Sequence, residues 1–247
     1  MAASPRDELD RSLIYRAGQT ARRVVSLKKL RFLKFLYTQR VKGFDVPSTP
    51  EFDTPETTAW FKARLAEAER YVEFGTGGST YLAAQRGIRF ICVDSDRHFL
   101  EAVRSKIERD GLLDLKRQTY VHADIGLTGP WGRPVIVRTP NRERFAAFAR
   151  YSDPPDACRT GQFIPDLVLV DGRFRVACAL KMVRLFGTAD NWTILVDDYT
   201  NRPHYKAIEE FARLDRTVGR MAVFKRAPKI DAVALDRAIA HYEAVHE

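Results

Sequence analysis

The stretch Tyr71-Val72-Glu73-Phe74-Gly75-Thr76-Gly77-Gly78-Ser79-Thr80-Tyr81-Leu82-Ala83-Ala84 leaves this chain few folds to choose from. A short β-branched and aromatic run passes through a glycine cluster into helix-forming residues. That order predicts a strand, a tight loop and a helix, the unit with which nucleotide-binding α/β sheets begin. Gly75 and Gly77 leave no Cβ in the path of a ligand, and the helix start behind them offers unpaired N–H groups.

The remaining chain repeats the strand–helix alternation of a parallel sheet. Strands are expected at 89–94, 119–124, 166–171 and 192–199, with a hairpin-like final pair within 217–224. Helices are expected at 55–70, 79–86, 98–109, 176–186, 203–214 and 231–246. Thr54-Pro55-Glu56 carries the N-cap, proline and acid of a helix start. Asp166-Leu167-Val168-Leu169-Val170-Asp171 is nearly continuous in apolar residues, as suits a strand buried on both faces. The expected fold is α/β: a Rossmann-like, open, mostly parallel seven-stranded sheet with helices on both faces, plus an N-terminal helical extension.

The glycine motif departs from the dinucleotide fingerprint, since Thr80 stands at its third glycine position and Glu73 precedes the first. The resulting E-x-G-x-G-G-S pattern resembles the first motif of class I S-adenosylmethionine-dependent methyltransferases, and the resemblance covers about residues 54 to 226. It implies S-adenosyl-L-methionine as cofactor. The implied binding residues are Glu73, Gly75, Thr76, Gly77, Ser79 and Thr80 in the loop. Asp94 with Ser95 would serve the ribose hydroxyls, Asp124 with Ile125 the adenine, and Asp171 the crevice beyond. Independently of the resemblance, Glu73, Asp94, Asp124, Asp171 and Asp197/Asp198 each close an expected strand, where open parallel sheets bind ligands.

For the acceptor side the candidates are Asp171, Asp198, His204 and Arg173. Asp171, Asp197 and Asp198 resemble the spacing by which catechol-type O-methyltransferases hold a divalent metal. Asp198 stands where asparagine is usual there, and the segment Gly172-Arg173-Phe174-Arg175 also differs, so a metal is not favoured. Without one, His204 would act as base with Asp198 orienting it. Arg173 and Arg175 could bind an acceptor carboxylate or phosphate through forked hydrogen bonds. The expected reaction is methylation of an oxygen on a small-molecule or glycan-like acceptor. A nicotinamide-dependent oxidoreductase is the alternative use of the same loop. Residues 126–165 are expected as an insertion or lid, and their Ser152-Asp153-Pro154-Pro155-Asp156 reads as a turn.

Charge is distributed unevenly over the 247 residues. Residues 1–50 hold eleven lysines and arginines against four acids, a net +7 of the chain's +9. This basic stretch is expected to be a helical extension and linker, with residues 51–247 as the methyltransferase domain. Its apolar residues fall on nearly all sides of a helix, so we expect packing, including in a homo-oligomer. Nucleic-acid or membrane-surface binding through it is the competing reading, with nucleic acid not expected. No apolar run is long enough to span a bilayer. Cys92, Cys158 and Cys178 have no metal or redox spacing, and a cytoplasmic setting is expected.

Overall fold

A computed structural model describes residues 29–136, 139–187 and 189–246. The described residues divide into two units, 29–43 and 44–246. In the first, residues 29–37 are helical and continue into a π-helical turn, Thr38–Lys42, ended by Gly43 at φ 85°. Leu30, Leu33, Tyr37 and Val41 recur at three- and four-residue spacing and are exposed. The part of the expected helical extension that precedes residue 29 lies outside the described residues.

In the second unit a seven-stranded sheet runs in the order β3-β2-β1-β4-β5-β7-β6. The strands are β1 (Arg70–Phe74), β2 (Arg89–Asp94), β3 (Gln118–His122), β4 (Leu167–Val170), β5 (Thr193–Val196), β6 (Ala212–Val218) and β7 (Met221–Arg226). The first five are mutually parallel, and β7 runs antiparallel to both β5 and β6. The order reverses between β1 and β4, so a crevice opens at the carboxyl ends of those strands.

Alternation along the buried strands builds two cores. Val72, Phe74, Ile91, Val93, Val168, Val170, Ile194 and Val196 face one way, against helices α4 (Arg142–Tyr151) and α6 (Arg175–Phe186) and the terminal helix α7 (Ala232–Tyr242). Tyr71, Phe90, Cys92, Leu167, Leu169 and Leu195 face the other, against α1 (Pro55–Ala66), α2 (Gly78–Gln85) and α3 (Arg97–Arg109). Helix starts obey local chemistry. Thr54 Oγ1 accepts from the Thr57 amide, and Asp96 accepts from His98 and Phe99.

Two segments differ from expectation in extent. The helix expected over 203–214 is a 3₁₀ helix that stops at Glu210, and β6 begins at Ala212. Pairing with β7 decides this, and a bulge between Leu214 and Arg216 breaks the alternation that would have marked the strand. The expected linker 46–50 belongs to the body, with Val46 and Pro50 buried. A Cβ on Gly78 would lie 2.3 Å from the Thr49 carbonyl oxygen, so this segment lies directly against the start of α2.

Between β3 and β4 lie a small loop closed by a Thr128–Pro134 bridge, α4, and the single turn α5 (Asp156–Arg159). Helix α4 buries Ala147, Phe148 and Tyr151 in the core. The cysteines Cys92, Cys158 and Cys178 are free and buried. Among the described residues no helix is long and apolar enough to cross a membrane.

Candidate functional site at the strand carboxyl ends

The glycine loop is held by a polar relay that explains its departure from the dinucleotide pattern. Thr80 Oγ1 accepts from the Gly77 amide at 3.0 Å and donates to Glu73, which also accepts from Tyr71 Oη at 2.7 Å. Thr80 thus ties the loop to the acid before it, a task glycine lacks the side chain for. Glu73 is fully buried, and that burial pushes its carboxyl up to about 7 against hydrogen bonds from Thr80, Ser79 and Tyr71 that favour the ionised form. Glu73 therefore lies beneath the loop, with its oxygens engaged by the loop's own side chains.

Gly75 and Gly77 play different parts. Gly75 sits at φ 99°, and a Cβ there would lie 2.7 Å from Gly172 backbone atoms. Only glycine permits that crossing of the β1 and β4 loops. Around Gly77 nothing would lie within 4 Å of a Cβ. A side chain there would project into open space at the N-terminus of α2, where a cradle for a ligand would lie.

Beside the loop, Asp94 is buried and bound on both oxygens. Thr76 donates its amide and hydroxyl to Oδ2 at 2.9 and 2.7 Å, and the Asp96 amide donates to Oδ1 at 2.8 Å. Burial raises the Asp94 carboxyl above its usual range. Ser95 Oγ donates to the Gly132 carbonyl, so the turn Pro130–Gly132 lies against this edge. Trp131, on that turn, is 85% exposed at φ 64°. Asp124, at the end of β3, is exposed and accepts from the Gly126 amide at 2.7 Å, while Ile125 is buried in the core.

On the β4–β5 side, Arg175 is the organising residue. It is 4% exposed. Its NH1 donates to the Asp197 carbonyl at 2.6 Å and to Asp198 Oδ2 at 3.3 Å, and lies 3.6 Å from Asp197 Oδ2. Its NH2 is 2.9 Å from Asp171 Oδ1 and 3.0 Å from the Asp171 carbonyl, and Nε donates to the Gly172 carbonyl. Arg202 and Arg220 also pair with Asp198, at 3.1 and 3.6 Å. The three aspartates are thus gathered around a guanidinium, in the space where a divalent ion would need them. A metal does not fit this donor set, and among the described residues no cluster of three metal-ligating side chains forms.

Asp197 differs from its neighbours. It is 8% exposed, and its Oδ1 is buried with no hydrogen-bond partner among the described residues. Burial first, then the Asp171 and Asp198 charges, push its carboxyl up to about 7, with Arg175 opposing. Asp198, expected to orient His204, is bound by three arginines, Arg175, Arg202 and Arg220. His204 begins the 3₁₀ helix, and its ring meets Tyr205 edge-on. The raised carboxyl of Asp197 could not be read from the sequence, because it depends on acids and an arginine brought from β4 and α6. The signal available was the apolar run ending in paired aspartates.

Arg173, also predicted, is 6% exposed, and its backbone amide donates to Tyr151 Oη at 3.2 Å. Phe174, next in the chain, is fully buried at φ 54° and caps α6. An open hollow of about 660 Å³, lined by Arg70, Arg86, Arg89 and Arg117, lies at the opposite ends of the strands, away from these groups.

No family model and no curated protein matches the chain. Among solved structures, a methyltransferase-like protein from Silicibacter pomeroyi is 31% identical, with a TM-score of 0.68 over 81% of this chain and 100% of that one. A Podospora anserina methyltransferase bound to S-adenosyl-L-homocysteine is 12% identical, with a TM-score of 0.42, over 85% of this chain and 96% of that one. A methyltransferase from Geobacter sulfurreducens in complex with S-adenosyl-L-homocysteine is 15% identical, with a TM-score of 0.38, over 66% of this chain and 54% of that one.

Proposed function

The chain belongs to the class I S-adenosylmethionine-dependent methyltransferases, and on that premise we propose that it methylates a hydroxyl oxygen of a small-molecule or saccharide-like acceptor, with Asp197 taking the hydroxyl proton. The observation that carries the reading is Asp197 itself, a buried carboxyl at the end of β5 with an unpartnered oxygen. A hydroxyl must lose its proton as it is methylated, and a base works best when its pKa lies near the working pH.

When bound, the cofactor supplies an electrophilic methyl group on a sulfonium sulfur. The chain's residues do the rest. Gly77 offers bare backbone beside the α2 N-terminus, and Asp94 and Asp124 stand at the neighbouring strand ends for hydroxyl and amino groups. Glu73 fixes the loop from below through Thr80 and Tyr71. Arg175 holds Asp171, Asp197 and Asp198 in one arrangement and keeps their mutual repulsion in check. A hydroxyl proton received at Asp197 would take the three aspartates from three negative charges to two, easing the repulsion that the single guanidinium of Arg175 opposes.

The test is calorimetric titration with S-adenosyl-L-homocysteine, with NADH titrated in parallel. Binding of the first with none of the second is expected. No binding of S-adenosyl-L-homocysteine, with Glu73 and Gly75 intact, would overturn the methyl-transfer reading.

A further inference from the structure

Arg173 breaks a rule that every other buried cation near the crevice obeys. It is 6% exposed, yet its side chain has no ion pair and no hydrogen bond among the described residues. Its Nε is fully buried and unpartnered. Arg175, two residues on, is saturated by carboxylates and carbonyls on all three nitrogens. Arginine stays charged at any accessible pH, so it cannot escape by losing a proton. An uncompensated charge taken out of water is among the costlier things a fold can carry. Burial and the neighbouring Arg175 and Arg133 charges together press against the charged form of Arg173.

Its position gives the cost a use. Arg173 follows Gly172, whose backbone abuts Gly75 of the ligand-facing loop. It therefore lies at the switch point, where β1 and β4 diverge. Arg133, exposed on the segment after the Pro130–Gly132 turn, adds a second positive charge nearby. The carboxylates on this side are committed to Arg175, Arg202 and Arg220, which leaves Arg173 without a protein anion among the described residues.

We propose that Arg173 is an anion seat that binds a carboxylate or phosphate group carried by the methyl acceptor, with Arg133 at its rim. The inference rests on the methyl-transfer reading and narrows it to anionic acceptors. A planar guanidinium can grip either group through two parallel hydrogen bonds. Burying that group against Arg173 supplies the counter-charge that the fold withholds, and it orients the acceptor hydroxyl without the seat taking part in the chemistry.

The same chemistry could come from the cofactor's own carboxylate, and the experiment separates the two. The full chain, saturated with S-adenosyl-L-homocysteine, is titrated with inorganic phosphate and, separately, citrate, while its melting temperature is followed. The wild type is expected to be stabilised by one or both anions beyond the effect of matched chloride. In Arg173→Met the anion affinity is expected to fall by roughly tenfold to a hundredfold, the weight of a charge-assisted pair. Affinity for S-adenosyl-L-homocysteine should stay within about twofold, because its sites lie elsewhere. Without anion the variant should melt no lower than the wild type, since an uncompensated buried charge has gone. Arg133→Ala, an exposed change, should weaken anion binding less.

Anion stabilisation that is absent in the wild type, or equal in wild type and Arg173→Met, overturns the inference and leaves the methyl-transfer reading standing. A tenfold or greater loss of S-adenosyl-L-homocysteine affinity with anion binding intact assigns Arg173 to the cofactor and also overturns it. If Arg173→Met does not fold, Arg133→Ala alone decides: unchanged anion affinity refutes the seat.

Discussion

Replacing Arg175 by methionine isolates what the buried guanidinium does. Methionine keeps much of the stem's packing and removes the charge and donors. Asp198 would keep Arg202 and Arg220, and Asp171, with 37% of its side chain exposed, could be hydrated. Asp197 could do neither, because only 12% of its side chain is exposed and Arg175 is the cation paired with it. Breaking one partner from a buried pair costs about 3–5 kcal/mol. For a domain near this size that corresponds to a fall in melting temperature of roughly 6–20 °C.

The pH dependence carries the sharper test. In the wild type the Asp197 carboxyl is raised to about 7, above its unfolded value of about 3.9, so its ionisation erodes stability between those two pH values and then stops. Without Arg175 the folded value rises further, and the erosion continues above 7. The stability difference between wild type and variant should therefore widen from pH 6 to pH 9, with a slope of up to about 1.4 kcal/mol per pH unit. Urea denaturation at pH 6, 7, 8 and 9 measures it. A difference that is flat across this range would refute the view that Arg175 balances Asp197.

The two loop glycines should separate folding from binding. Gly77→Ala meets nothing within 4 Å and should change stability by no more than about 0.5 kcal/mol, while S-adenosyl-L-homocysteine affinity falls at least roughly tenfold by calorimetry. Gly75→Ala, at φ 99° and 2.7 Å from Gly172, should lose several kcal/mol, about 1–2 from the backbone alone, and circular dichroism melting will show it. Asp197→Asn should lower the methyl-transfer rate by roughly 100- to 10,000-fold and flatten the rise in activity through pH 7 that an ionising base gives. Relative to wild type, Glu73→Gln should gain stability as pH rises from 5 to 8. The unfolded carboxyl ionises at about 4.3 while the buried one holds its proton up to about 7, so the wild type loses up to roughly 3 kcal/mol across that window and levels off above it, and chemical denaturation from pH 5 to 8 reads the trend.

The α/β architecture was legible because buried parallel strands leave strong local marks. The run Leu167–Val170 and the Glu73–Thr80 loop could hardly be read otherwise, and their boundaries fell within a residue or two. The strand after the 3₁₀ helix was not legible. Arg213, Asp215 and Arg216 face solvent around a bulge, so only pairing with β7 makes Ala212–Val218 a strand. The candidate cofactor edge follows from position alone, since strand ends and a glycine loop follow each other in fixed order along the chain.

What the sequence by itself determined was the order of strands, the loop and the acids that end them, because backbone freedom and burial on both faces act over a few residues. Only the tertiary structure decided what those acids do. The pairing of Arg175 with Asp171, Asp197 and Asp198, the raised carboxyl of Asp197 and the burial of Arg173 without an ion pair among the described residues all depend on residues from different elements meeting at the strand ends. Electrostatic interactions depend on distance and desolvation, and neither is written into spacing along the chain.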